Sequence, residues 1–111
     1  MYGIIGKFAT VTPGTPIRLT STQADPAAKF SCHGVLIQAL KSNVGVIYIG
    51  KSGLVRSTYA NVGAVLGIPT TNFLPSFTVA LTLAPNSINL SDFYIDSDNA
   101  GDGVLVSVLI A

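Results

Sequence analysis

The chain has few charged residues and too few cysteines for an internal disulfide. Only 10% of its 111 residues are Asp, Glu, Lys or Arg, against about a quarter in an ordinary soluble domain. It contains no tryptophan and one cysteine, Cys32, so no internal disulfide can form. This excludes the disulfide framework typical of small secreted domains and favours assembly in a reducing compartment.

The lack of charge also limits the possible partners. The six basic residues are scattered and the formal net charge is +1, whereas binding nucleic acid requires a cluster of Lys and Arg that neutralises several phosphates. A surface with so little charge is poorly protected against self-association, and large apolar patches are commonly interfaces. We therefore expect no nucleic-acid partner, and burial of much of the surface in a homo-oligomer or a larger assembly.

Membrane insertion and export are not expected. No apolar run reaches the length of about 18 residues typical of a membrane helix, and the N-terminus lacks the charged-then-apolar layout of a signal peptide. With 49% hydrophobic residues, a chain of this length suits one domain with one core. We predict a single soluble domain over residues 1–111, with no membrane partner.

Short β-rich runs that end at Pro, Gly, Asn or Asp predict an all-β fold. We expect an antiparallel β-sandwich or jelly-roll-like domain of seven or eight strands with one long loop. The first run, residues 4–12, ends at Pro13 and Gly14 and is expected to form a hairpin with residues 17–20. Further strands are predicted at residues 77–83, 86–90, 93–96 and 104–110.

The strongest strand pattern lies in the middle of the chain. Residues 33–41 and 44–49 are two nearly continuous apolar runs on either side of a short polar turn, which predicts a central hairpin. Continuous apolar runs are typical of strands buried on both faces. We expect a second sheet to cover one face and a neighbouring subunit to cover the other.

Two segments supply candidate interface residues. Residues 51–75 are predicted as a long loop with one helical turn near residues 61–66, and large apolar side chains in loops need a covering surface. The N-terminal residues 1–12 are predicted either as an edge strand or as a docking arm, and removal of an arm would leave the domain folded. The candidate interface residues are Tyr2, Ile4, Ile5, Phe8, Tyr59, Phe73 and Leu74.

Residues 45–52 match the phosphate-loop pattern G-x-x-x-x-G-K-[ST] letter for letter. A phosphate loop needs a preceding strand, a pliant loop and a helix that begins at the Lys-Ser end. Here the four middle residues are strong strand formers, and no helical pattern follows Ser52. We expect these residues to form a strand, and nucleotide binding remains a remote alternative.

The acidic segment 96–103 has carboxylates at alternating positions, as calcium loops do. Ala100 stands at the fifth loop position and Ser107 at the twelfth, where calcium loops place ligands. A turn rich in Gly, Asn and Asp between two strands is the favoured interpretation. A weak cation site there remains open.

No set of catalytic residues is evident. Cys32 and His33 are adjacent, so on a strand their side chains point to opposite faces and cannot form a nucleophile and base pair. With one His and one Cys, a zinc site would need two carboxylates that the sequence does not place. We predict a buried thiol, no catalytic residues, no metal, no cofactor and no enzymatic activity.

The order of strands and turns resembles that of small virion proteins of tailed bacteriophages. The resemblance rests on the runs Val35-Leu-Ile-Gln-Ala-Leu40, Gly45-Val-Ile-Tyr-Ile-Gly50, Leu83-Ala-Pro-Asn-Ser-Ile88 and Leu90-Ser-Asp-Phe-Tyr-Ile-Asp96, followed by Gly101-Asp-Gly-Val104. It covers roughly residues 15–111 and contains no catalytic signature. The chain departs from the pattern in a longer insert, residues 56–76, and in Asn86, where a Gly often stands.

This resemblance implies a compact β-sandwich of the capsid decoration or cement type. Such proteins are often trimers that bind the outside of the head and stabilise it against internal DNA pressure, while others sit in tails or fibres. It implies a major capsid protein or another virion protein as partner, and a location on the capsid surface after assembly in the host cytoplasm. The leading hypothesis is a cement protein; the alternative is a tail or fibre module that binds a receptor or glycan.

Overall fold

The computed structural model describes residues 2–10, 12–20, 31–32, 34–79 and 88–109, with the backbone alone for residues 2–4 and 79. Within these ranges, ten strands alternate with turns and one short 3-10 helix, Leu90–Asp92. The strands are β1 Tyr2–Ala9, β2 Ile17–Arg18, β3 Ser31–Cys32, β4 Gly34–Ala39, β5 Ile47–Val55, β6 Ala60–Leu66, β7 Ser76–Val79, β8 Ile88–Asn89, β9 Tyr94–Ser97 and β10 Gly103–Leu109.

These strands form two four-stranded antiparallel sheets and one small pair. Sheet I has the order β1-β10-β4-β7, sheet II has the order β2-β9-β5-β6, and β3 pairs with β8. The all-β prediction is confirmed, although the described residues contain more strands than the seven or eight expected. Among those residues no helix is long and apolar enough to cross a membrane.

The core lies between the inner faces of sheets I and II. Strand alternation directs every second side chain inward, so β10 contributes Val104, Val106 and Val108, all buried. The facing strands β5 and β9 contribute Ile47, Ile49 and Ile95, which are also buried. Both sheets therefore bury branched aliphatic side chains, which pack well on a pleated surface.

The two predicted hairpins are wrong. β1 pairs with β10 in sheet I, and β2 pairs with β9 in sheet II. Likewise β4 lies between β10 and β7, whereas β5 lies between β9 and β6. The short polar turn between β4 and β5 therefore crosses from one sheet to the other.

This crossing is held by side chains that bond to a second crossing loop. Asn43, in the β4–β5 loop, donates from Nδ2 to the Gly103 carbonyl at 2.8 Å and accepts from the Gly103 N–H at 2.8 Å. Asp102, in the β9–β10 loop, accepts from the N–H groups of Val44 and Gly45 at about 3 Å. The two loops therefore bond to each other, so β4 and β5 are not free to pair as a hairpin.

The predicted long loop is largely regular structure. Residues 51–55 belong to β5, residues 56–59 form a turn, and β6 occupies the position of the predicted helical turn. The register between β5 and β6 shifts between Gly50 and Val55, so this hairpin contains a large bulge. The bulge interrupts the regular alternation and so obscures the strand pattern in the sequence.

The N-terminal segment is an edge strand of sheet I and not a docking arm. Seven residues of β1 are in register with β10. Phe8 is 1% exposed and belongs to the core, and Ile5 packs against that core at a bulge before Gly6. Phe8 is therefore unavailable to a partner, and removal of this strand would open the core.

We predict that Phe8→Ala destabilises the protein by about 3–5 kcal/mol, the usual cost of deleting a buried phenyl ring. Lys7→Ala, at the neighbouring exposed position, is the matched control and is expected to change stability by less than about 0.5 kcal/mol. Urea unfolding followed by circular dichroism measures both. Equal stability of the two variants would contradict the placement of Phe8 in the core.

Candidate interaction surfaces

The outer face of sheet I is almost uncharged and has three leucines among small polar side chains. The residues that alternate with the buried valines of β10 point outward, and Leu105 is 44% exposed. Register places Gln38 opposite Leu105 and Leu36 opposite Ser107. The described outward side chains are Lys7, Leu36, Gln38, Ser76, Thr78, Leu105, Ser107 and Leu109, and Lys7 is the one charged group among them.

Three leucines form a continuous stripe on this face. Leu36 pairs with Ser107, so it lies diagonally between Leu105 and Leu109, at a spacing of about 7–8 Å that long side chains can bridge. All three retain some solvent exposure. An exposed apolar stripe of this kind is typical of an interaction site. We call this surface the leucine face.

The outer face of sheet II has the opposite character. Register between β5, β9 and β6 places Tyr48, Asp96 and Val65 side by side on it. Arg18 on β2 donates from Nε to the Tyr94 hydroxyl at 2.9 Å, and its guanidinium lies 5.4 Å from the centre of that ring. This face is therefore aromatic and charged, whereas the leucine face is neither.

A cluster of two tyrosines and an ion pair lies at the β5–β6 turn. Tyr59 has a left-handed φ of 60°, and its ring lies 6.2 Å from that of Tyr48 at an angle of 55°. The Tyr48 hydroxyl donates to Asp98 at 3.2 Å, and Arg56 donates from Nη1 to the same carboxylate at 2.6 Å. We call Tyr48, Tyr59, Arg56 and Asp98 the tyrosine cluster.

Burial and charge in the cluster keep Tyr48 protonated. Burial raises the pKa of its phenol above the ordinary value of about 10, and the negative charge of Asp98 raises the pKa further. Both effects favour the neutral phenol, which is the form that donates to Asp98. Tyr48 is thus the buried aromatic residue of the cluster, whereas the ring of Tyr59 is exposed to solvent.

Comparison with known proteins adds no functional assignment. No family model, curated protein or solved structure matches the chain. Functional inference therefore depends on the geometry of these surfaces.

The phosphate-loop pattern lies along a strand, as the sequence indicates. Ile47, Tyr48 and Ile49 belong to β5, and the strand continues through Lys51 and Ser52 without a helix. The two glycines of the pattern have packing roles. A Cβ at Gly45 would lie 2.3 Å from Asn99 Nδ2, and one at Gly50 would lie 2.0 Å from the Asn61 carbonyl oxygen.

The acidic segment 96–103 forms a turn whose carboxylates bind groups of the chain itself. Asp96 is buried and accepts from the N–H groups of Gly14 and Ser97 at 3.0 and 2.8 Å. Its other oxygen lies 3.8 Å from Arg56 Nε. Within the described residues, no group of three or more His, Cys, Asp or Glu side chains is arranged to hold a metal ion.

Cys32 is buried, as predicted, and burial raises the pKa of its thiol above the ordinary value. A thiol in such a site is a poor nucleophile because little thiolate forms. His33, which the sequence places next to Cys32, lies outside the described residues. Cys32 serves as a small apolar side chain of the core.

The predicted interface residues are distributed over several elements. Tyr59 and Phe73 are exposed, Leu74 is half-buried, and Ile5 packs against the core. The backbone register pairs Tyr2 with Leu109 and Ile4 with Ser107, and the side chains of Tyr2 and Ile4 lie outside the described set.

Sequence reasoning missed the leucine face and the partners of Tyr59. Within the run Val-Leu-Val-Ser-Val-Leu, residues 104–109, the valines alternate with Leu and Ser. This period of two was the available indication that Leu105 and Leu109 share an outer face. No comparable local pattern links Tyr59 to Asp98, because the two residues meet only after the sheet has formed.

We predict that Asp102→Asn lowers the free energy of unfolding by about 1–3 kcal/mol, because the buried carboxylate accepts two backbone N–H groups across the crossing loops. Asp92→Asn, on an exposed side chain of the 3-10 helix, is the matched control and is expected to change stability little. Thermal and urea unfolding measure both. An unchanged Asp102→Asn stability would contradict the bracing role.

Proposed function

We propose that this protein is a phage virion structural protein of the capsid cement or decoration type, which binds the head shell through its leucine face. The observation that carries the proposal is that face itself: three partly exposed leucines on a sheet whose described strands contain one charged residue. A free protein gains nothing from such a surface, whereas an interface core is depleted of charge and rich in apolar area.

The character of the face suits a shell partner. A sheet face offers a broad and rigid surface, because its side chains are fixed by strand register on a packed core. Cementing requires that rigid pieces span the contacts between capsid subunits and bury area at many equivalent positions. A neutral face also tolerates contact with either acidic or basic groups at its rim, where Lys7, Ser76 and Thr78 lie.

Self-association is part of the same proposal. A protein with a formal net charge of +1 has little long-range repulsion between copies. A homo-oligomer, for which a trimer is favoured, would present several leucine faces to a symmetric shell at once. Multivalent attachment strengthens binding without any new contact in each copy.

The tyrosine cluster favours a second candidate function, a tail or fibre module that binds a receptor or glycan. Tyr59 presents an exposed ring held in a left-handed backbone conformation, and strained residues commonly mark binding sites. Tyrosine combines a flat apolar ring with a hydroxyl, and Asp98 and Arg56 beside it offer an acceptor and donors. This set suits the apolar face and the hydroxyl groups of a sugar.

For the cement function, we predict that Leu105→Asp weakens binding to empty heads of the same virus by about tenfold or more, because it places a charge in the centre of an apolar interface. Val65→Asp is the matched control, since Val65 is 45% exposed and lies on the outer face of sheet II. Co-sedimentation of the purified protein with heads measures both. Equal binding of the two variants would argue against the leucine face.

For the glycan function, we predict that Tyr59→Ala abolishes binding to an array of bacterial surface oligosaccharides. Ile68→Ala is the matched control, because Ile68 is a comparably exposed apolar residue, 56% against 63% for Tyr59, and is not part of the tyrosine cluster. Absence of any binding by the unmodified protein would remove this candidate and leave the cement function unaffected.

A further inference from the structure

An apolar pocket opens between the two sheets on the side of β6 and β7. It has a volume of about 330 Å³ and is lined by Ile49, Gly50, Val62, Gly63, Phe77 and Phe93, with the exposed polar residues Lys51, Asn61 and Asp92 also at its wall. Two of the lining residues, Gly50 and Gly63, are glycines of sheet II, so that sheet leaves part of the space without a side chain. The walls are aliphatic and aromatic, which favours an apolar occupant.

The chain also carries an aromatic side chain with no cover. Phe73 lies in the connection between β6 and β7 and is highly exposed. Its backbone is fixed, because Thr70 N–H donates to the Phe73 carbonyl at 2.9 Å and Phe73 N–H donates to the Thr70 carbonyl at 3.3 Å. A ring presented on a fixed turn loses little conformational entropy when it is buried by a partner.

We propose that Phe73 of one copy inserts into this pocket of a second copy, and that this contact joins copies of the chain into the homo-oligomer. The inference rests on the proposed function in so far as that function calls for self-association. The pocket has room for the ring, because a cavity of about 150 Å³ lined by apolar side chains already holds benzene. The exposure of Phe73 means that it does not fill its own pocket.

The contact is heterologous, because the inserting ring and the receiving pocket belong to different parts of the surface. Heterologous contacts generate closed rings when the rotation between copies closes. A ring of this kind is compatible with the trimer that a shell with threefold positions would accept. It also leaves the leucine face outside the contact, since neither Phe73 nor the described pocket lining belongs to that face.

The test uses one variant for each half of the contact and measures self-association without heads. Phe73→Ser removes the ring, with Ile68→Ser, an exposed apolar residue of the same connection, as control. Val62→Arg blocks the pocket, with Val65→Arg on the outer face of the same sheet as control. Sedimentation velocity over a concentration series is expected to show self-association weakened by roughly 10- to 100-fold in each blocking variant and unchanged in each control.

A second pocket variant keeps the test decisive in case the Val62→Arg protein does not fold. A Cβ at Gly63 would meet only the Ile49 carbonyl oxygen, at 3.7 Å, and one at Gly67 would meet nothing within 4 Å. Because Gly63 lines the pocket, Gly63→Leu adds an apolar side chain at its wall with little backbone strain, and Gly67→Leu is its control. Thermal unfolding of each variant confirms that the fold is retained.

Mixing the variants gives the decisive result. The Phe73→Ser protein keeps an open pocket and the Val62→Arg or Gly63→Leu protein keeps its ring, so a mixture is expected to form one-to-one dimers that grow no further. A monomeric unmodified protein, blocking variants that assemble normally, or a mixture that stays monomeric would each overturn the inference. None of these results depends on head binding, so failure here is distinguishable from failure of the cement function.

Discussion

The reciprocal bonding of the two crossing loops is the constraint on which the arrangement of surfaces depends. Asn43 pairs with both backbone groups of Gly103, and Asp102 accepts the N–H groups of Val44 and Gly45. The bonds of Asn43 and Gly45 are buried, so removing one partner while the loops stay packed would cost about 1–3 kcal/mol for each group left unpaired. Because the loops are fastened to each other, β4 is placed in sheet I and β5 in sheet II. The apolar leucine face and the aromatic, charged face are thereby divided between the two sheets.

Hydrogen bonds and ion pairs within the chain also leave the surface poorer in free charge than the composition suggests. Three of the aspartates that the structure describes are engaged within the chain: Asp96 and Asp102 accept backbone N–H groups, and Asp98 binds Arg56 and Tyr48. Asp96 and Asp102 are also buried, so they contribute little repulsion between copies. Because these carboxylates bond to groups of the chain, they place no negative charge on the outer face of sheet I. Internal bonding of the loops and an outer sheet face almost without charge are therefore two consequences of one distribution of charge.

The sequence was sufficient for the type of most elements and insufficient for their partners. The runs of β4, β5 and β10 that are rich in Val and Ile predict strands, because β-branched side chains pack well on a pleated sheet and are less favourable in a helix. Pairing is a long-range property, and the Ser42-Asn43 turn has the local appearance of a hairpin. The turn instead connects sheet I to sheet II, and it is held in that path by the bond between Asn43 and Gly103, which are 60 residues apart in the sequence. The bulge between Gly50 and Val55 similarly concealed β6, and the partners of Tyr59 are brought beside it only by the folded sheet.

The separation of the surfaces bears on how one small domain would serve a shell. The proposed contact through Phe73 and the pocket uses the side of the sandwich where β6 and β7 lie. The leucine face lies on the outside of sheet I. Copies could therefore join without covering the surface proposed to bind the capsid. Each leucine face then needs only moderate affinity, because a second face on the same oligomer binds at a high effective concentration once the first has attached. A weak individual contact also permits correction of misplaced copies during assembly. Low charge and a divided surface are thus compatible with firm attachment, provided that the subunits are linked before they reach the shell.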